Sequence, residues 1–169
     1  MNKRLQVEID KCTGCGLCQL ACAVKKSKQF DPSLARIKIY RSEAQGLNVP
    51  LICQQCANPP CVAVCLMNVA DKDPHTGITV RESNHCIGCR ACQIACPFEA
   101  CTYDHIHDVV VNCDLCGGSP ACVEICPTGA LQYCDISTTL AGVRDAEAFK
   151  RSMIPDRERS HHGWHRNHR

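Results

Sequence analysis

Residues 86–97 read CIGCRACQIACP, a C-x2-C-x2-C-x3-C-P run, and no other feature constrains the chain as tightly. Three thiols set so close together force a tight loop, and the fourth falls on the turn or short helix that follows. The spacing recurs. Cys12, Cys15, Cys18 and Cys22 repeat it, while Cys53, Cys56, Cys61 and Cys65 widen the middle gap to ANPP. Cys113, Cys116, Cys122 and Cys126 widen it to GGSPA and again end in Cys-Pro, at Pro127. Of the 18 cysteines, only Cys101 and Cys134 stand outside the four quartets.

Cysteines at this spacing hold [4Fe–4S] clusters, and in two-cluster proteins the fourth ligand of one run serves the other cluster. Competing readings explain less. Zinc sites pair C-x2-C units across a longer gap and need no third cysteine close by. A disulfide scaffold needs an oxidising compartment, whereas residues 1–10 contain neither an apolar signal segment nor a twin arginine. The reading therefore expects reduced thiols, a cytoplasmic location and sixteen iron ligands, enough for four cubanes.

Composition agrees with a chain built around inorganic groups. Aromatic residues are only 4%, so the side chains that usually fill a core are scarce, and the apo chain is expected to be largely unfolded. The formal charge is +2 with neutral thiols. Sixteen thiolates and four oxidised cores of about +2 each would bring the holoprotein to about −6, which argues against nucleic acid as a partner. Residues 150–169 hold six of the 19 basic residues and four of the eight histidines. No apolar run approaches the ~20 residues that cross a bilayer, so no direct membrane span is expected.

In chain order, Gln6–Ile9 and Arg36–Tyr40 alternate polar and apolar residues and read as strands. Cys18–Val24 reads as a short helix carrying Cys22, and residues 41–50 as a polar loop with Gly46 and Pro50. Asp73–Gly77 is a turn signal before a strand at Ile78–Val80. The repeating unit is strand, cysteine loop, short helix, strand. Pro97–Ala100 and Pro127–Ala130 occupy equivalent places, which sets Cys101 opposite Leu131 and Cys134 opposite Asp104. Both spare cysteines read as small buried hydrophobes, His105 and His107 as one face of a strand, and His85 as an exposed neighbour of Cys86. Asp145–Met153 has helical spacing, ended by Pro155, and the remaining DRERSHHGWHRNHR reads as a solvated tail.

KCTGCGLCQLAC, CQQCANPPCVAVC, CIGCRACQIACP and NCDLCGG…ACVEICPTGA together resemble the four-cluster ferredoxin-like electron-transfer subunits of molybdenum and tungsten pterin oxidoreductases. The dimethyl sulfoxide reductase and formate dehydrogenase small subunits belong to that group, alongside the polyferredoxins of hydrogenases and carbon monoxide dehydrogenase. The resemblance covers roughly residues 5–135. It departs at Ala23 and Leu66, where proline could have followed a quartet, and in lacking the C-terminal extensions of membrane-bound relatives.

The resemblance implies an α+β fold of two pseudo-symmetric, βαβ-type ferredoxin-like units, one inserted in the other. Residues 1–50 and 97–135 would form the outer unit, 51–96 the inserted one, and 136–169 a C-terminal helix and basic, histidine-rich tail. It also implies nested ligation. Cys12, Cys15, Cys18 and Cys126 would hold one cluster, and Cys113, Cys116, Cys122 and Cys22 the next. Cys53, Cys56, Cys61 and Cys96 would hold a third, and Cys86, Cys89, Cys92 and Cys65 a fourth.

No acid–base dyad, nucleophile motif or nucleotide loop is visible, so the expectation is electron transfer with catalysis in a partner. The resemblance points first to a tungsten or molybdenum pterin aldehyde oxidoreductase as that partner. Formate dehydrogenase, hydrogenase or carbon monoxide dehydrogenase follow, with a flavin- or NAD-linked subunit as a further partner. The alternatives are a free soluble polyferredoxin and self-association through 136–169.

Overall fold

Cys18, Cys22 and Ala23 are the buried residues of α1 (Leu17–Ser27), the longest helix among the described residues, so its inward stripe consists of two thiols and a methyl group. In this computed structural model, which describes residues 3–137, the other three helices are single turns. These are α2 (Pro60–Ala63), α3 (Ala91–Ile94) and α4 (Ala121–Glu124), and each buries one cysteine: Cys61, Cys92 and Cys122. Every helix thus begins inside a quartet and presents its third cysteine inward. Helix α1 packs on α4 and α2 on α3, which sets the first quartet beside the last and the second beside the third.

Among the described residues the strands form four two-stranded sheets. β1 (Lys3–Val7) neighbours β8 (Leu131–Asp135). Glu8 donates its amide to Ala130 and accepts from the Gln132 side chain, while Cys134 donates to Gln6 at 3.2 Å, an antiparallel progression. β2 (Lys38–Ser42) pairs antiparallel with β3 (Leu47–Leu51), Lys38 facing Leu51 and Ser42 facing Leu47. β4 (Ala70–Lys72) pairs with β5 (Thr79–Arg81), and β6 (Cys101–Asp104) with β7 (Val109–Asn112). The arrangement is α+β.

Cysteines take the place of large apolar residues in both cores. One gathers Cys18, Cys22 and Cys122 with Leu5, Ile37 and Leu115, and the other gathers Cys61, Cys92 and Cys101 around Val110. Met1–Cys134 form one compact unit, and a second begins at Asp135. The helix expected over Asp145–Met153 and the basic tail after it lie outside the described residues. Among the described residues no helix is long and apolar enough to cross a membrane.

Two local expectations change. Residues 41–50 are a β-hairpin, not a loop, because Gly46 adopts φ +63° and lets the chain reverse. His105 and His107 sit in the reversal between β6 and β7, not along a strand. The Asp104 carboxylate accepts the amides of Ile106 (2.9 Å) and His107 (3.2 Å) and turns the chain there.

Candidate iron–sulfur site

Each C-x2-C loop bends at the residue before its second cysteine. Gly14, Gln55, Gly88 and Leu115 all have positive φ, between 50° and 70°. Glycine accepts this backbone freely, whereas Gln55 and Leu115 adopt it because they are held: both are buried, at 3% and 1% exposure. A second shared turn follows three of the fourth cysteines. Asn68, Glu99 and Gly129 have positive φ and donate their amides to the carbonyls of Cys65, Cys96 and Cys126.

Three cavities lie among the loops, each lined by three cysteines of one quartet and the fourth of another. One is lined by Cys12, Cys15, Cys18 and Cys126, with Leu17 and Leu131 beside them. A second is lined by Cys22, Cys113, Cys116 and Cys122, next to Lys26, Arg36 and Asp114. A third is lined by Cys65, Cys86, Cys89 and Cys92, together with Arg81. The remaining four also meet, since the Cys53 thiol feels Cys61, Cys56 and Cys96. Among the described residues no three side chains converge on a point where one metal ion would sit. Thiols arranged around a volume suit a polynuclear core better than a single zinc ion.

The electrostatics fit such a core. Burial pushes the Cys18 thiol up to about 11 and Cys122 up to about 12, and it raises Cys22, Cys53 and Cys113 as well. Neighbouring thiols reinforce the rise, so these groups need a bound cation to become thiolates. Backbone amides are already aimed at sulfur: Arg36 at Cys22 (3.3 Å), Ala100 at Cys96 (3.4 Å) and Leu115 at Cys113 (3.4 Å).

Thiols of different sets also approach one another in a definite order. Cys122 feels Cys18, Cys113 feels Cys53, and Cys61 feels Cys92. Cys101 stands at the last of these junctions. Its interaction with Cys61 and Cys92 lowers those two thiols against the effect of burial and pushes Cys101 itself up. Cys101 is buried, as its spacing predicts, but it also touches two quartet members. Cys134 is half-buried beside Gln6.

Sequence reasoning missed the polar seam behind the second and third quartets. Gln55 donates to the Cys113 carbonyl (2.6 Å) and accepts the Thr79 amide (2.8 Å). Asn112 donates to the Thr79 carbonyl (2.9 Å) and accepts from Arg81 Nε (2.6 Å). Lys72 donates to the carbonyls of Gln55 and Cys56. The one available signal was Arg81, a charge where the internal repeat places Val7. The histidines stay outside the cavities. His85 is exposed, His105 lies 3.7 Å from Asp31 and His107 lies 2.8 Å from Asp104.

A fold of short cysteine loops around four-thiol cavities is that of an iron–sulfur protein, and comparison with known proteins agrees. Residues 44–136 match the 4Fe-4S dicluster domain, and the chain belongs to that family. It is 42% identical over 117 residues to the polyferredoxin-like subunit of aliphatic sulfonate oxidoreductase from Pyrococcus furiosus, covering 69% of this chain and 67% of that one. It is 35% identical over 137 residues to the electron transfer subunit of thiosulfate reductase from Salmonella typhi, covering 73% and 70%. It is 37% identical over 139 residues to subunit beta of NADH-dependent phenylglyoxylate dehydrogenase from Aromatoleum evansii, covering 81% of this chain but only 31% of that subunit. The chain thus spans less than a third of some relatives. It is an iron–sulfur electron-transfer subunit of the kind found in oxidoreductase complexes, its cofactors are [4Fe–4S] clusters, and it is not itself the catalytic subunit.

Proposed function

We propose that the chain carries four [4Fe–4S] clusters in a row and relays electrons to or from the catalytic subunit of a tungsten or molybdenum pterin oxidoreductase. The observation that carries this reading is the lining of the cavities by mixed quartets. Cys12, Cys15, Cys18 and Cys126 would hold the first cluster, and Cys113, Cys116, Cys122 and Cys22 the second. Cys53, Cys56, Cys61 and Cys96 would hold the third, and Cys86, Cys89, Cys92 and Cys65 the fourth. The inserted unit is then 51–96, closed within 1–50 and 97–135.

Each bound cluster would supply reversible one-electron chemistry. The protein's own residues support one order for the row. Cys122 feels the charge of Cys18, Cys113 that of Cys53, and Cys61 that of Cys92, which supports an order in which the first set neighbours the second, the second the third and the third the fourth. The inner sets contain no exposed cysteine, whereas Cys15 and Cys89, at the two ends, are exposed. Exposed ends and a shielded middle are what a relay between two partners requires.

The likeness to the Pyrococcus furiosus and Salmonella typhi subunits supports a catalytic partner, and an aldehyde oxidoreductase is the first choice. The phenylglyoxylate dehydrogenase relative, NADH-dependent by name, supports a flavin- or NAD-linked subunit at the other end. A cytoplasmic location accords with the reduced thiols that assembly needs. The test is anaerobic native purification from the source cells. Co-elution with a large subunit bearing tungsten or molybdenum is expected. Elution at the size of the chain alone would favour a free polyferredoxin.

A further inference from the structure

The two halves differ at one pair of equivalent positions. Between the first and second cysteine sets the internal repeat places Val7 and Leu131, whereas between the third and fourth it places Arg81 and Cys101. The Arg81 guanidinium lines the cavity of Cys65, Cys86, Cys89 and Cys92. Its Nη1 is 3.6 Å from the Cys92 sulfur and its Nη2 3.6 Å from the Cys101 sulfur. Nε is anchored on Asn112 at 2.6 Å, and Asn112 is in turn fixed to the Thr79 and Cys113 carbonyls. The fork therefore has one orientation, set from outside the cysteine loops.

The other basic residues beside a cavity are engaged elsewhere: Arg90, in the same cavity as Arg81, lies over the Tyr103 ring, 3.6 Å from its centre. Lys26 and Arg36 both pair with Asp114, at 2.7 and 3.0 Å. Arg81 pairs with no carboxylate among the described residues, and both terminal nitrogens of its fork face sulfur. A cation and N–H donors at a ligand sulfur favour the reduced, more negative state of the cluster bound there. The cavity of the first set has no charged side chain in its lining, and the polar side-chain group beside a sulfur there is the neutral Thr128 hydroxyl, 3.7 Å from Cys126.

We propose that Arg81 is a positioning and tuning residue that makes the Cys65, Cys86, Cys89 and Cys92 set the highest-potential site of the row. An electron entering the chain then comes to rest at this end, beside exposed Cys89 and the exposed side chains of Leu66 and Ile87. Cys101 supports the role by giving the second arm of the fork a sulfur to hold. The smaller effect on the adjacent Cys61 set follows from distance.

This inference rests on the four-cluster ligation proposed above, and the experiment separates the two. Holoprotein, Arg81→Met and Arg81→Lys are assayed for iron and then titrated potentiometrically, with the reduced clusters followed by electron paramagnetic resonance. With iron at the wild-type level, Arg81→Met is expected to weaken reduction of the highest-potential cluster about tenfold, about 59 mV for a one-electron couple. Arg81→Lys should recover part of that change, and the lowest-potential cluster should not move. Full iron with all potentials unchanged would overturn the role of Arg81 while leaving the ligation intact. Should Arg81→Met fail to assemble, the wild-type protein labelled with 15N in the arginine guanidinium decides. A 15N hyperfine coupling on the signal that appears first on reduction supports the assignment, and no coupling on any signal overturns it. An iron count below about 16 in the wild-type protein would instead fault the underlying ligation.

Discussion

The side-chain amide of Gln55 donates to the carbonyl of Cys113 at 2.6 Å and so joins the second cysteine quartet to the fourth. The same side chain accepts the Thr79 amide, and Lys72 holds the Gln55 carbonyl at 3.0 Å. Gln55 is 3% exposed, so water cannot replace these partners. Gln55→Leu keeps the volume but leaves the Thr79 amide unpaired, at a cost of about 1–3 kcal/mol. Denaturant titration followed by loss of the visible band should show a lower midpoint. An unchanged midpoint would mean that the seam is not part of the framework.

Two glycines with nearly the same backbone should respond differently to alanine. Gly88 has φ +64°, and an added Cβ would lie 2.6 Å from the Asp108 carbonyl oxygen. Gly117 has φ +67°, but an added Cβ would meet nothing within 4 Å. Gly117→Ala should therefore cost only the left-handed backbone term, about 1 kcal/mol, and keep its iron. Gly88→Ala should displace the 86–92 loop and lose roughly a quarter of the iron. Equal iron in the two variants would contradict this account.

The mixed lining of the third cavity makes a prediction about Cys65. Because it meets Cys86, Cys89 and Cys92 and not its own quartet, Cys65→Ala should alter the same paramagnetic signal as Cys89→Ala. Cys56→Ala should alter a different one. Shared behaviour of Cys65→Ala and Cys56→Ala would place all four ligands of the second quartet on one cluster. Cys134→Ala, outside the four quartets, should leave the iron content unchanged.

Asp104 carries a pH prediction. Burial alone would raise its carboxyl, but hydrogen bonds from His107 and from the amides of Ile106 and His107 hold it below the usual carboxylate range. A depressed folded-state value contributes stability above the unfolded-state value of about 3.9, and that contribution is lost as pH falls through the folded value. Asp104→Ala should speed amide exchange at Ile106 and His107 about fivefold at pH 7, equivalent to about 1 kcal/mol. The effect should not diminish down to about pH 5. An effect that already shrinks by pH 5 would show that the carboxyl is not held low.

The cysteine loops were legible because a ligand set of this kind imposes its spacing on consecutive residues, and the helix bearing Cys18 and Cys22 followed from it. The predicted Cys18–Val24 helix runs Leu17–Ser27, extended by residues that do not interrupt it. What escaped depends on distant partners. The positive φ of Gln55 and Leu115 has no glycine to announce it and exists because both side chains are buried. Arg81 reads as an ordinary strand end until Asn112, 31 residues away, turns its guanidinium toward Cys92. The hairpin from Lys38 to Leu51 was hidden because Pro50 looks like a strand breaker, yet here it faces Ile39 within a two-stranded sheet.

The most direct test of the central claim is iron and acid-labile sulfide per chain in anaerobically purified protein. Four cubanes held by the sixteen quartet cysteines predict about 16 of each. About 8 of each would mean that half the quartets serve another purpose, and zinc in place of iron would contradict the account altogether.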